Sequence, residues 1–465
     1  MATQFDLIVI GAGPGGYSAA IRAAQYGMKV AIIEKDAVGG TCLNRGCMPT
    51  KIYLHAADLF SEMQHSEIFG VQAREISYDL AAMKLRKDVV LNQLRGGIEK
   101  LLAAHKITYI RGIAKIMAAG KVTVGDELYT TAKILIAVGS RPASLPIPGL
   151  TLPGVLTSDD LLTGELPDFK QLTIIGGGVI GVEFASFYQS LGCDVTIIEA
   201  MERILPNLDR EIAQNLAMIM KKRGIKIFTG AKVTAIEQNP AGGLKCNFIC
   251  KENPQMIMSD GVLISIGRTA NTDDLLSESV DLGIERGRIP VDENFVTKVL
   301  DIYAIGDVVL GGIQLAHMAA AEGLCAVANM CGKLPPLDLT VVPSCIYTSP
   351  EIATVGLTAD EAKAAGIPVK TGKFIMNANG KTMIENGERG FIKVVFHAKT
   401  ETLLGAQLMC SRATDMVGEL AAAIVNRLAI SQLAAVIHPH PTFVEAIGEA
   451  VDAAEGLSLH TLKRG

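Results

Sequence analysis

An internal repeat constrains this chain more than any other feature. The stretch LIVIGAGPGGYSAAIRAAQYGMKVAIIE returns as LTIIGGGVIGVEFASFYQSLGCDVTIIE, so that Gly11, Gly13, Gly16, Gly27 and Glu34 recur as Gly176, Gly178, Gly181, Gly192 and Glu199 at one constant offset of 165 residues. Each copy runs from a β-branched apolar stretch through GxGxxG into a helical stretch, ends at a glycine cap and returns to a strand closed by an acid. A dinucleotide demands this pattern. The first glycine makes the tight turn, the second lets the backbone approach a pyrophosphate, and the third lets helix and strand pack closely, while the helix N-terminus offers unpaired N–H groups and a positive dipole end. Glu34 and Glu199 are placed to accept hydrogen bonds from an adenosine ribose. At 465 residues the chain also exceeds what one core supports, so several domains of roughly 100–150 residues are expected.

Two such units imply two dinucleotides, and a flavin with a nicotinamide is the pairing that makes chemical sense. DIYAIGDV places Asp307 after a short apolar strand and a glycine, where a carboxylate can bind the hydroxyls of a ribityl chain. It resembles the second FAD signature of the two-dinucleotide flavoproteins, which implies an FAD domain interrupted by the second repeat and resumed after it. ILIAVGSRP (134–142) and VLISIGRTAN (262–271), which contain Gly139 and Gly267, resemble the paired strand-to-turn junctions where such chains cross between domains. The second has Thr269 and Ala270 where Arg and Pro are usual.

A formal charge of −5, from 43 Lys+Arg against 48 Asp+Glu with no long basic run, argues against a nucleic-acid partner, as do the absence of tryptophan and an aromatic content of 5%. The apolar N-terminal stretch is preceded by Asp6, interrupted by Arg22 and filled with glycines, so it reads as strand, turn and helix rather than a signal or membrane segment. Nine scattered cysteines suit a reducing cytoplasm. A specific close pair among them then calls for redox chemistry.

That pair is in GGTCLNRGCMPTK, where Cys42 and Cys47 are five residues apart. On a regular helix their alpha carbons would be separated by about 7.5 Å along the axis alone, whereas a disulfide wants them within about 7 Å, so the segment is expected to be distorted if the two are bonded. Pro49 is expected to help by disfavouring helical geometry at Met48. The segment resembles the redox-active box of the pyridine nucleotide disulfide oxidoreductases, and the resemblance runs from Asp6 to at least Glu445. It implies that Cys42 is the interchange thiol, that Cys47 lies against the flavin, and that Lys51 sits beside the reactive ring nitrogen with Glu183 reaching it from the nicotinamide side. Cys246 and Cys250 fall on one side of a strand and read as packing. No metal-ligand set is read.

VIHPHPTFVEA resembles the HxHPTxxE box of the dihydrolipoamide dehydrogenases within that family. The resemblance implies that His440 is the acid/base, that Glu445 orients it, and that both act across a twofold interface; imidazole suits a proton transfer near neutrality. His438 is then structural, and His317 in LAHMAAAEG resembles a flavin-side segment. From about Leu334 a third architecture begins, with strands and the helical run GELAAAIVNRLAI, like the family's interface domain.

The expected fold is therefore α/β, with two Rossmann-like dinucleotide-binding domains for FAD and NAD and a C-terminal α+β dimerisation domain. The expected division is 1–145 for the first part of the FAD domain, 146–265 for the NAD domain, 266–335 for a central domain completing the FAD site, and 336–465 for the interface domain. The activity the resemblance implies is oxidation of protein-bound dihydrolipoamide by NAD+ through the disulfide and FAD. A homodimer is implied, serving a lipoylated acyltransferase or carrier protein of a 2-oxo acid dehydrogenase or glycine-cleavage system, with no membrane partner. A glutathione reductase-like or mercuric reductase-like enzyme and a non-catalytic flavin-binding protein are the alternatives. The first is disfavoured by Glu199, Ala200 and Met201, where arginines would hold a phosphorylated nucleotide and only Arg203 is near. The second lacks its C-terminal cysteine pair, since the last cysteine is Cys410.

Overall fold

The computed structural model describes residues 4–461. Both repeats build the same thing. In the first, the strands Thr108–Arg111, Val30–Glu34, Gln4–Ile10 and Glu127–Ile136 lie side by side in that order; in the second, Lys226–Phe228, Asp194–Ile198, Gln171–Ile175 and Gly261–Ile264 do the same. All of these neighbours are parallel. Parallel strands need crossovers, and the glycine-led helices Pro14–Gln25 and Val179–Ser190 supply the first crossover of each unit. Each unit also places antiparallel strands ahead of its fourth parallel strand, Ala114–Ala118 and Lys121–Val124 in one, three strands spanning Ala231–Ser259 in the other.

The first sheet is completed from far along the chain. Ile302–Ala304 pairs in parallel with the end of Glu127–Ile136, register Ile302 to Ile134, and the chain then turns through Gly306–Val308 into the helix Ala316–Met330, which packs on Pro14–Gln25. A two-stranded ladder, Ser140–Pro142 against Arg268–Ala270, ties the two junction segments together, with Thr269 opposite Arg141. Thr269 and Ala270 thus form a regular ladder.

The third architecture is a five-stranded antiparallel sheet in the order Ser344–Ile346, Ile352–Gly356, Leu403–Met409, Phe391–His397, Val369–Ile375. The helices Ala413–Val425 and Glu445–Ala454 cover it, burying Leu420, Ala423, Ile447 and Val451 against Val394, Phe396 and Leu408. Among the described residues no helix is long and apolar enough to cross a membrane.

One helix joins the three parts. Cys47–Gln64 buries Tyr53, Leu54 and Ala57 against Phe184, Phe187 and Tyr188 of the second unit, in a core that continues to Ile346 and Ile352 of the third. Fully burying one such side chain is worth about 1.5–3 kcal/mol. The N-terminal end of that helix, which carries Cys47 and Lys51, is thereby held between the two dinucleotide units.

Candidate active site

The repeat extends from sequence into hydrogen bonding. Glu34 Oε2 accepts the Ala12 N–H at 2.8 Å and its Oε1 the Asp36 N–H at 2.9 Å; Glu199 Oε2 accepts the Gly177 N–H at 2.6 Å and its Oε1 the Met201 N–H at 2.7 Å. Each acid is anchored by the glycine turn it faces, and its remaining lone pairs are open to a ligand. Burial raises the Glu34 pKa, against the opposing pull of those N–H groups.

The glycines divide their work as the sequence pattern requires. Gly11 and Gly176 have φ of +100° and +110°, a region that disfavours any side chain. A Cβ on Gly16 or Gly181 would lie 1.9 or 2.0 Å from the carbonyl oxygen of Gly11 or Gly176, so helix meets turn at a distance only glycine allows. Around Gly178 a Cβ would meet nothing, and at Gly13 nothing nearer than 3.8 Å. Both residues cap their helices without a side-chain hydrogen bond, leaving two cradles of unpartnered N–H groups that fit two pyrophosphates.

One cavity of about 1580 Å³ spans both cradles. Gly11, Gly13, Glu34, Cys42, Cys47, Lys51, Gly139, Asp307 and His317 line it from the first unit, and Gly176, Gly178, Glu183, Glu199 and Gly267 from the second. Gly16 and Gly181 are absent because they are packed behind the turns. His440 and Glu445 are not in it either.

Between the cradles lie the cysteines, both free thiols. The segment is distorted, as a disulfide at this spacing would require, but at Gly46: the helix Gly40–Arg45 ends there and Cys47–Gln64 begins. A Cβ on Gly46 would approach the Thr41 carbonyl to 2.9 Å, which shows how tightly the break is folded. Pro49 and Met48 are not the cause. Both are helical, because Pro49 falls in the first turn, where its missing N–H has no partner to lose. Gly40 rests so close to Gly13 that a Cβ would sit 2.5 Å from its alpha carbon, which fastens the cysteine segment to the first cradle.

The two thiols are electrostatically unequal. The Cys47 thiol is lowered to about 7, chiefly by the hydrogen bond from Cys42 and next by the Lys51 charge, which together outweigh the desolvation of its sulfur by the surrounding chain. It also opens a helix, where thiolates are favoured. The same hydrogen bond, and burial after it, raise the Cys42 pKa and keep that thiol protonated. The pair titrates as a unit with Cys47 as its anion.

Lys51 Nζ donates to both oxygens of buried Glu183, at 2.9 and 2.8 Å. The third architecture closes over this ion pair. The Tyr347 N–H donates to Glu183 Oε1 at 3.0 Å, and its ring lies 4.6 Å beneath the Lys51 ammonium. Asp307 accepts the Ser140 hydroxyl, which in turn takes the Arg268 Nε–H at 2.8 Å. Behind it, buried Glu322 accepts the Gly306 N–H at 2.6 Å and sets the turn that presents Asp307. His317 Nε2 pairs with the Pro343 carbonyl at 2.8 Å. Arg268 and Glu322 fall within VLISIGRTAN and LAHMAAAEG, but nothing in those stretches assigns them these contacts, and Tyr347 acts through its backbone and ring; the folded chain reveals all three roles.

His440 lies on the third architecture, 77% exposed, with Nδ1 2.9 Å from Glu445 Oε2. His438 is mostly buried and pairs with Glu419 at 3.1 Å. The structure therefore assembles the cysteines, Lys51, Glu183 and both cradles in one place, and leaves the histidine and its glutamate as a second, outward-facing cluster.

Comparison with known proteins agrees with this geometry. Residues 5–323 match the family described as pyridine nucleotide-disulphide oxidoreductase, and residues 342–451 match its dimerisation domain. Dihydrolipoyl dehydrogenase of Bacillus subtilis (strain 168) is 42% identical over 99% of this chain and 100% of the relative, and those of Thermus scotoductus and Chlamydia pneumoniae are 40% and 39% identical over 99% of both chains. The solved structure of the HOCl-induced flavoprotein disulfide reductase RclA from Escherichia coli superposes with a TM-score of 0.86 at 30% identity, covering 96% of this chain and 99% of that one. Two dinucleotide cradles facing one cysteine pair, with a full-length sequence match on both sides of it, place the chain in the pyridine nucleotide-disulphide oxidoreductase family.

Proposed function

We propose that the protein oxidises protein-bound dihydrolipoamide to lipoamide and reduces NAD+, passing two electrons through Cys42 and Cys47. The observation that carries this is the placing of two unequal thiols between two dinucleotide cradles in one cavity. The names of the full-length relatives support the substrate. FAD and NAD are the cofactors, and when bound they supply the electron acceptor for the thiols and the hydride transfer onward. Gly13 and Gly178 face the pyrophosphates, Glu34 and Glu199 the riboses, and Asp307 the ribityl chain.

The residues of the chain divide the thiol chemistry. With Cys42 and Cys47 joined as a disulfide, a substrate thiol gives its proton to His440 and attacks the Cys42 sulfur; the S–S bond breaks and Cys47 leaves as thiolate. The second substrate thiol then attacks the substrate sulfur held on Cys42, which closes the lipoamide ring and expels Cys42. Through His440 that second proton replaces the one handed to Cys42. The electron pair ends on the cysteines, with one proton on Cys42 and one on His440. Electrostatics favour this outcome, since Cys47 is the thiol held anionic.

The same reading divides the chain near residues 145, 265 and 335, in line with the sheet memberships. It also makes the protein a homodimer in which His440 serves the partner's cysteines. The outward position of His440, the match to a dimerisation domain, and the exposed Ile437 (95%) and Met383 (71%) nearby support that reading. The lipoylated partner belongs to a 2-oxo acid dehydrogenase or glycine-cleavage system.

Assays with free dihydrolipoamide test the substrate and the nucleotide together. Glu199 faces the adenosine ribose, and the Arg203 guanidinium is committed to the carbonyls of Pro206 and Leu208 at 2.7 and 3.2 Å. A 2′-phosphate about 4 Å from the carboxylate would cost up to about 4 kcal/mol at an effective dielectric near 20. NAD+ should be preferred over NADP+ by roughly a hundredfold or more in kcat/KM, since each ~1.4 kcal/mol is a factor of ten. Equal use of NADP+, or glutathione disulfide turned over faster than lipoamide, would refute the assignment.

A second expectation follows from the Cys47 thiol. Its pKa is lowered in the fold, so the thiolate is present above about pH 7 and is lost as pH falls through that value. The long-wavelength absorption of the two-electron-reduced protein, which requires that thiolate against the flavin, should fade accordingly. Full amplitude about two pH units lower, where roughly 1% thiolate would remain, would contradict the assignment of the anion to Cys47.

A further inference from the structure

We infer that Asn379 is a positioning residue for His440, clamping the loop that carries it. Asn379 lies at the start of the short helix Gly380–Ile384 and is 3% exposed. Its side-chain oxygen caps that helix, accepting the Thr382 N–H at 2.9 Å and the Thr382 hydroxyl at 3.0 Å. Capping explains the oxygen alone. Aspartate, serine or threonine would cap as well, and none of them brings an NH2 group.

The amide nitrogen is turned to the histidine loop. It donates to the Thr442 carbonyl at 2.9 Å and reaches Glu445 Oε1 at 3.4 Å, the second contact longer and weaker. Glu445 Oε1 also takes the Thr442 N–H at 3.2 Å, which leaves Oε2 to hold His440 Nδ1 at 2.9 Å. The Thr442 hydroxyl closes the loop on the Pro439 carbonyl at 2.6 Å. Asn379 thus holds Thr442 and Glu445, and Glu445 holds the exposed His440 ring by its Nδ1. A group that fixes the orientation of a base from behind sets how often the base is aligned, without touching substrate.

This inference rests on reading His440 as the base for the substrate thiol, and the experiment separates the two. Asn379→Ser and Asn379→Thr both keep a capping acceptor and remove the amide donor without adding charge beside Glu445. Reduction of the bound flavin is followed by stopped flow in each holoenzyme, once with dihydrolipoamide and once with NADH, alongside His440→Ala. Dihydrolipoamide should reduce both Asn379 variants roughly tenfold more slowly, the effect of losing one positioned hydrogen bond, while NADH reduces them at the wild-type rate, since that half-reaction does not use the histidine. Wild-type rates with dihydrolipoamide in both variants, beside a slow His440→Ala, would overturn the role of Asn379 alone. An unchanged His440→Ala would overturn the reading of the base beneath it. Loss of the NADH reaction to the same degree as the dihydrolipoamide reaction would make Asn379 a fold anchor, and would also overturn the inference.

Discussion

Replacing Cys42 by serine will abolish dihydrolipoamide turnover, by a thousandfold or more, since the substrate thiol then has no disulfide to attack, while leaving the Cys47 thiolate intact. A serine hydroxyl at position 42 can still donate to the Cys47 sulfur, and Lys51 still stands beside it, so the two largest influences lowering the Cys47 pKa persist. The variant should therefore be inactive with substrate and still show the long-wavelength absorption. Cys47→Ser should lose both, because the anionic sulfur is gone, no disulfide can form for the substrate to attack, and burial still disfavours ionisation of the remaining thiol. Substantial turnover by Cys42→Ser, or absorption retained by Cys47→Ser, would reverse the assignment of the two sulfurs.

The second large effect concerns the histidine. His440 is exposed and lies outside the cavity that holds the cysteines of its own chain. A Cys47→Ser protein and a His440→Ala protein, each nearly inactive alone, should therefore complement one another when their subunits exchange. In a mixed dimer one of the two composite sites has intact cysteines facing an intact histidine. Random pairing makes half the dimers mixed, so roughly a quarter of the wild-type activity should return. If heterodimers are shown to form and no activity returns, the histidine serves its own chain or plays no part in the chemistry.

The dinucleotide units were legible because their turns are local. A glycine that must adopt positive φ, as Gly11 and Gly176 do, or that must let a helix touch a carbonyl, as Gly16 and Gly181 do, is specified by residues within a few positions of it. The return of the chain to the first sheet was legible only through the resemblance of DIYAIGDV to the second FAD signature, whose Asp307 lies in the turn after the last strand. The break between the cysteines was misplaced. Sequence rules give Pro49 the stronger local effect, but position within a helix decides whether a missing N–H matters, and Gly46 provides the close approach instead. The contacts of Tyr347, Glu322 and Asn379 were out of reach, because each acts on a group 16 to 164 residues away along the chain, Tyr347 through its backbone.

The late strand Ile302–Ala304 has a consequence for how the chain is made. The second sheet is built from residues 155 to 264, contiguous in the chain, whereas the first remains open beside Ile134 until residue 304 has left the ribosome. At about 5–20 residues per second, the strand Gln4–Ile10 waits on the order of 15–60 s for its sheet to be completed. The second unit can close while the first still lacks both its last strand and Asp307. During synthesis the order of the two cradles is thus inverted: the one encoded first is the last to become whole.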